Sequence, residues 1–353
     1  MRIALLSAAN SSHTVKIVNS LVEMGHDVAL YSRCDHKDID GAIDKRVKIE
    51  YLNNLSYFKN HKQLRKCLAE FNADVLYAHY ASGYGTTSRL TKFHPTVLAV
   101  WGSDVYDFPK QNPGFWWLLV RSLKAADKLF STSNAMAKVA SQYTKKDFYI
   151  TPFGVNVEDF SPSTTKKDDD KITIGFLKKV SKLYGIPCLV KAFALLCEKN
   201  PDLNVELKVY GDGELLDDMK QLSNELGIAE KAHFLGRIPH ADAPRVLREM
   251  DIFCAPSERE SFGVSVVEAM ACEIPCITSD ADGLTEVMAE GETGLVFPAN
   301  DEYALMNALE KLCKDKQLRH EMGKKGRERV LKYYNWEDNI KNIEKGLIEA
   351  TNI

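Results

Sequence analysis

Glu260 and Glu268 stand eight residues apart, around Ser261-Phe262-Gly263 and an apolar stretch that runs on to Ala271. The sequence predicts a buried strand over 252–255, a polar loop, then a helix over 264–271. Gly263 at a helix start allows close backbone approach. The N–H groups of Gly263, Val264 and Ser265 have no carbonyl within the helix to bond, and the helix dipole favours an anion in front of them. A diphosphate is the natural occupant. Glu260 lies in the loop and Glu268 on the helix; if both were helical, eight residues would turn about 80° net, so both carboxylates can face one ligand. One would contact a sugar beyond the diphosphate, the other a ribose on the near side. On spacing alone two surface carboxylates flanking a core helix is the better reading, because Glu pairs eight apart are common; the strand, the Gly-containing loop and the apolar helix around the pair change that.

The surrounding sequence must place these residues. In the first half, strands are predicted over 3–6, 28–31, 47–51, 75–78, 97–101 and 128–131, with helices over 14–23, 62–70 and 118–126. Strands alternating with helices indicate a parallel, doubly wound sheet. Residues 161–170 are polar and nearly free of apolar side chains, which marks a linker. The Asp168-Asp169-Asp170 run within it reads as solvated spacer. The pattern then restarts, with strands over 172–176, 204–210, 233–235, 252–255 and 276–279 and a mostly helical tail from 302. The expected domains are 1–160 and 171–334, with a helix over about 335–353 crossing back to the first. In such sheets ligands sit beyond the carboxyl ends of the strands. Two facing sheets would place the cleft between the halves.

The chain has 353 residues, 45% hydrophobic and 27% charged, which suits two soluble globular domains and excludes a disordered or fibrous chain. The apolar run over 3–9 is too short for a convincing signal peptide, and no stretch is long enough to span a bilayer. The net charge of −3 gives no sign of nucleic-acid binding. Residues 1–160 carry 20 Lys and Arg against 15 Asp and Glu, or +5, and residues 161–353 carry 26 against 34, or −8. The basic half could meet an anionic partner, or the split could be ordinary surface variation. Eight cysteines form no CxxC pair, and Cys272 and Cys276 lack a nearby His, which fits reduced thiols and no metal site.

The segment 260–271, ESFGVSVVEAMA, resembles the E-x7-E signature of family 4 glycosyltransferases, which have the GT-B fold: two doubly wound Rossmann-like domains facing across a cleft. Tyr210-Gly211-Asp212-Gly213 resembles the family's G-x-G turn, and Phe234-Leu235-Gly236 its F-L-G turn. Residues 282–286, 291–295, 152–156 and Asn335-Trp336 resemble further elements in the expected order. The resemblance implies a retaining, metal-independent transfer, with no cofactor, from a nucleotide-diphosphate sugar, commonly a uridine one. Glu260 would touch the donor sugar, Glu268 the ribose, and the backbone of Phe262, Gly263, Val264 and Ser265, with Ser261, the diphosphate or sugar. Gly211, Gly213 and Arg237 would complete the donor side. The family's usual Arg and Lys after the first strand of this domain are Phe176 and Leu183 here, so Lys178 and Lys182 become the candidate cations for the leaving group.

In the first domain the resemblance implies an acceptor-side loop with Asn10, Ser11 and His13, although the family's usual glycines are missing. His79, after a strand, would donate to a sugar hydroxyl, and Asp104 of Trp101-Gly102-Ser103-Asp104 would accept from an acceptor hydroxyl; core or capping roles are the alternatives. Phe115-Trp116-Trp117, beside Arg121, Lys124 and Lys128, suits either core packing or a membrane surface carrying a lipid-linked acceptor. Lys62, Arg65 and Lys66 read as a solvated helix face. The expectation is a cytoplasmic enzyme, free or at the inner membrane face, acting on a saccharide or lipid-linked acceptor in surface polysaccharide or glycolipid assembly. A sugar-nucleotide epimerase and a non-catalytic sugar-nucleotide-binding subunit are the rival readings.

Overall fold

A computed structural model describes residues 1–38, 41–163 and 171–352. Most of the expected linker, with the Asp168-Asp169-Asp170 run, lies outside the described residues. The chain forms two compact units, Met1–Pro152 with Glu337–Ile353, and Phe153–Trp336.

The first unit is built on β1 (Arg2–Leu6), β2 (Asp27–Arg33), β3 (Lys48–Leu52), β4 (Val75–His79), β5 (Thr96–Val100), β6 (Lys128–Ser131) and β7 (Phe148–Ile150), in the order β3-β2-β1-β4-β5-β6-β7. Every pairing is parallel. Strands β1, β4 and β5 are buried almost throughout, as a sheet covered by helices on both faces requires. The strand order reverses between β1 and β4.

The second unit repeats this plan with β8 (Ile172–Leu177), β9 (Val205–Tyr210), β10 (Ala232–Gly236), β11 (Ile252–Ala255), β12 (Cys276–Ser279) and β13 (Gly294–Phe297), in the order β10-β9-β8-β11-β12-β13. Its reversal falls between β8 and β11. The expected boundary at 160 is corrected: Val155 and Phe160 belong to the second unit's core, with Phe262 and Tyr334. Burial of those side chains draws residues 153–160 across.

The last helix, Trp336–Thr351, lies in the first unit from Glu337 onward. Asn342 accepts from Tyr149 Oη at 2.6 Å and donates to the Ile150 carbonyl at 2.9 Å. His26 Nε2 lies 2.7 Å from Glu344. A Cβ on Gly346 would stand 2.4 Å from the Phe130 ring, so only glycine lets the helix sit this close.

Two basic groups have other tasks than solvation. Arg65 donates to the carbonyls of Thr91 and Leu90, satisfying the end of the helix Gly83–Thr91. Lys128 pairs with Glu349 at 2.5 Å and lies over the Tyr149 ring. The helix Pro113–Ala125 splits its two readings between its faces. It buries Leu119, Ser122 and Leu123, and leaves Trp116 48% and Trp117 46% exposed. Among the described residues no helix is long and apolar enough to cross a membrane.

Candidate active site

Strands β8 and β11 are parallel neighbours, so the loops that leave their carboxyl ends rise together at the point where the strand order reverses. Lys178 leaves β8 and Glu260 follows β11. The two side chains form an ion pair, Lys178 Nζ to Glu260 Oε2, with 22% and 11% of each side chain exposed. Lys178 Nζ also lies 4.6 Å from the centre of the Tyr184 ring. Glu260 Oε1 accepts from the Ser261 N–H at 3.3 Å.

Backbone contacts hold the Lys178 loop. Lys178 N–H donates to the Tyr210 carbonyl at 3.1 Å, and Val180 N–H to the Asp212 carbonyl at 3.0 Å. Gly211 has φ +145°, and a Cβ there would stand 1.8 Å from the Lys178 carbonyl oxygen. Gly211 therefore lets the loop after β9 close over the Lys178 loop. Gly213 lies in the same loop, its N–H bonded to Asp212 Oδ1 at 2.8 Å. Lys182 opens a short 3₁₀ turn, Lys182–Tyr184, and is exposed, as is Arg237 beyond β10.

The helix Val264–Ala271 begins at Gly263, whose φ of +100° turns the chain from loop to helix. Val266 and Val267 donate to the Gly263 carbonyl, which leaves the Val264 and Ser265 N–H groups at the helix mouth. The side chain of Phe262 is buried against Phe153 and Tyr334, so only its backbone faces the loop's surroundings.

Glu260 lies in the loop before the helix and Glu268 on it, as the sequence places them. The helix starts only at Val264, so the segment from Glu260 does not turn as eight helical residues. Glu260 meets Lys178, whereas Glu268 meets His240, Oε1 to Nε2 at 2.9 Å. The Glu268 side chain is 7% exposed. His240 sits in a short turn after β10, and neither its type nor its spacing singled it out in the sequence.

At the carboxyl edge of the first sheet, His79 ends β4 and is buried. Its Nδ1 lies 2.9 Å from Ser7 Oγ, which is 2.8 Å from Thr14 Oγ1. Its ring is 4.5 Å from Tyr77 and 4.1 Å from Trp101. Burial, then the neighbouring His13, holds its pKa well below the ordinary histidine value. Burial thus favours the neutral ring, and its Nε2 has no partner among the described residues.

Asp104 has a different task from the one expected. It is buried, and its carboxylate accepts N–H bonds from Ala81 at 2.8 Å, Trp101 at 3.1 Å and Gly102 at 2.8 Å. Burial raises its pKa against the pull of those donors. It braces the loops after β4 and β5, so those two oxygens are committed to backbone. Asn10 is exposed, Ser11 precedes the helix Ser12–Glu23, and His13 stands 5.9 Å from the Trp101 ring. Ala9 N–H donates to Ser32 Oγ at 3.0 Å, which anchors that loop to β2.

This paired architecture matches known proteins along the whole chain. Residues 157–329 match the family described as Glycosyl transferases group 1, and residues 2–133 match Glycosyl transferase 4-like. N-acetyl-alpha-D-glucosaminyl L-malate synthase of Bacillus anthracis is 26% identical over 77% of this chain and 74% of its own. Some other curated relatives are matched over about half of their own length, whereas Phosphatidyl-myo-inositol mannosyltransferase of Mycolicibacterium smegmatis is 26% identical over 91% of this chain and 85% of its own. Sucrose-phosphate synthase from Thermosynechococcus elongatus superposes with a TM-score of 0.84 at 20% identity, covering 98% of both chains. Anabaena Alr3699/HepE in complex with UDP superposes with a TM-score of 0.82 at 16% identity, covering 99% of this chain and 100% of that one. The fold is of the GT-B class. The chain belongs to the family 4 glycosyltransferases and is an enzyme of sugar transfer.

Proposed function

We propose that this enzyme transfers a hexose from a uridine-diphosphate sugar to a hydroxyl acceptor, with retention and without a metal. The observation that carries this reading is the Lys178–Glu260 pair beside the mouth of the Val264–Ala271 helix. Negative charge grows on the diphosphate as the glycosidic bond breaks. The Val264 and Ser265 N–H groups, Lys178 and Lys182 answer it. Lys178 turns from Glu260 toward the diphosphate, and Glu260 then accepts from the donor sugar. Glu268, steadied by His240, binds the ribose, and Arg237 lies at the donor's outer edge. The first unit takes the acceptor through Asn10, Ser11, His13 and the neutral His79. The acceptor oxygen attacks from the face the diphosphate leaves, and its proton passes to the departing phosphate oxygen.

The acceptor is a saccharide or lipid-linked saccharide in surface polysaccharide or glycolipid assembly, and the enzyme works in the cytoplasm. The exposed Trp116 and Trp117, with Arg121 over the Trp117 ring at 4.5 Å, suit peripheral contact with the inner membrane face. A structural neighbour solved with UDP supports uridine as the base. An epimerase or a non-catalytic subunit fits family membership less well.

The test is a thermal-shift and nucleotide-release panel over uridine-, guanosine- and adenosine-diphosphate sugars, with chelator present and Glu260→Ala in parallel. Stabilisation and slow release with a uridine donor, lost in the variant, is the expected result. Stabilisation by none of the donors sinks the diphosphate site.

A further inference from the structure

A cavity of about 230 Å³ opens in the first unit between the helices Gly83–Thr91 and Pro113–Ala125 and the start of β5. It lies at the amino end of β5, whereas His79 marks the carboxyl end of the neighbouring β4. At Gly85 a Cβ would stand 3.2 Å from Leu98 of β5 and 3.4 Å from Ser122 of the facing helix, so the backbone is close to both there. Beyond that contact the small side chains of Ser122, Ala125 and Ala126 leave the gap unfilled.

Its wall carries polar groups without protein partners. Ser88 is 2% exposed, and its Oγ and the Arg89 Nε are both buried with no hydrogen-bond partner among the described residues. Buried donors left unmade are costly, so they point to something that fills the space. Lys92 adds a second cation, and no Asp or Glu lines the cavity. Burial, then the neighbouring Arg121, holds the Arg89 pKa below its ordinary value, as expected where cations gather without a counter-charge. The remaining wall is largely apolar, with Phe93, Leu98 and Ala125.

We propose that this cavity binds a small organic phosphate, its oxygens on Arg89, Lys92 and Ser88 and its carbon body on Phe93, Leu98 and Ala125. A phosphate monoester offers three acceptor oxygens and close to two negative charges, which match three separate donors and two cations better than a carboxylate does. The volume is below the roughly 300–1,000 Å³ of sites for drug-sized ligands, which excludes a nucleotide sugar. The phosphate belongs either to a soluble monoester or to a phospholipid headgroup, since Trp116 and Trp117 are exposed on the helix that also lines the cavity.

The test is calorimetric titration of the full chain with phenyl phosphate, with phenol as the neutral control. Arg89→Gln, Lys92→Gln and the cavity-filling Ala125→Leu are measured beside it. One saturable site for phenyl phosphate and none for phenol is expected. Each glutamine variant should weaken binding about tenfold or more, and Ala125→Leu should abolish it. If Ala125→Leu fails to fold, the two glutamine variants at partly exposed positions decide. No saturable binding, or binding that both glutamine variants leave unchanged, overturns the proposal; the second result would place the phosphate elsewhere. Co-sedimentation with phosphatidic acid vesicles, against phosphatidylcholine vesicles, separates the sources. Sedimentation displaced by phenyl phosphate assigns a lipid headgroup, and phenyl phosphate binding without sedimentation assigns a soluble ligand; either result sustains the site. Sedimentation that Arg89→Gln and phenyl phosphate both leave unchanged belongs to the outer surface and counts against the cavity.

Discussion

Lys178 and Glu260, 82 residues apart in sequence, form an ion pair because β8 and β11 are parallel neighbours at the reversal of the second sheet. The pair stores a cation and a carboxylate beside the helix mouth that would receive a diphosphate. Without a donor each neutralises the other. With a donor bound, each would have a new partner in the substrate.

Glu268→Ala should raise the donor KM about tenfold and leave kcat within about threefold, because a ribose contact is made equally in the ground and transition states. His240→Ala should move the same parameter by less, since it acts through Glu268 at 2.9 Å. Steady-state kinetics over donor concentration would read both; a fall in kcat alone would contradict the ribose role.

Acid sensitivity should carry the signature of His79. Its folded pKa lies well below the ordinary 6.5, so below that pH the unfolded chain binds a proton the folded chain refuses. Stability is therefore present above about pH 6.5 and falls on acidification, by up to about 1.4 kcal/mol per pH unit from this group. His36, lowered by burial and Arg33, acts in the same direction. Denaturant unfolding between pH 5 and 8 should show a shallower slope in His79→Asn. An unchanged slope would mean that His79 takes up its proton as readily in the folded chain as in the unfolded one.

Gly346→Ala should destabilise the protein by about 1–3 kcal/mol through the Phe130 ring, although alanine is the better helix former. Thermal unfolding is the readout, and a rise in Tm would show that the last helix is not packed as described.

Asp104→Ala should cost about 1–3 kcal/mol, since three backbone donors lose a buried acceptor. Its effect on transfer should appear in acceptor KM, through the loops it braces, more than in donor KM. A lost kcat with unchanged stability would restore the direct role on the acceptor hydroxyl.

Much of this was legible in the sequence where pattern and packing agree. The strand Ile252–Ala255 and the helix Val264–Ala271 are apolar blocks bounded by turns, and their limits follow from that. The helix Gly83–Thr91 escaped, because its glycines, threonines and serine are poor helix formers. Tertiary contacts hold it, among them Thr87 Oγ1 donating to the Tyr57 carbonyl at 2.7 Å. The edge strands β7 and β13 are too short to show a period. Glu260 and Glu268 stood out by motif, and Lys178 only as a substitute for the family's usual cations; their partners did not. The Lys178–Glu260 pair needs the strand order, and His240 meets Glu268 only through a turn after β10 that carries no distinguishing pattern.

The central claim is that Lys178 and Glu260 act as one unit on the donor. Initial rates of nucleotide release with a uridine-diphosphate sugar should be measured for Lys178→Ala, Glu260→Ala and the double variant. Each single change should cost about 100-fold or more, and the double variant should lose little beyond the worse single, as residues acting together do. Losses that multiply, or a single variant that keeps its full rate, would contradict the account.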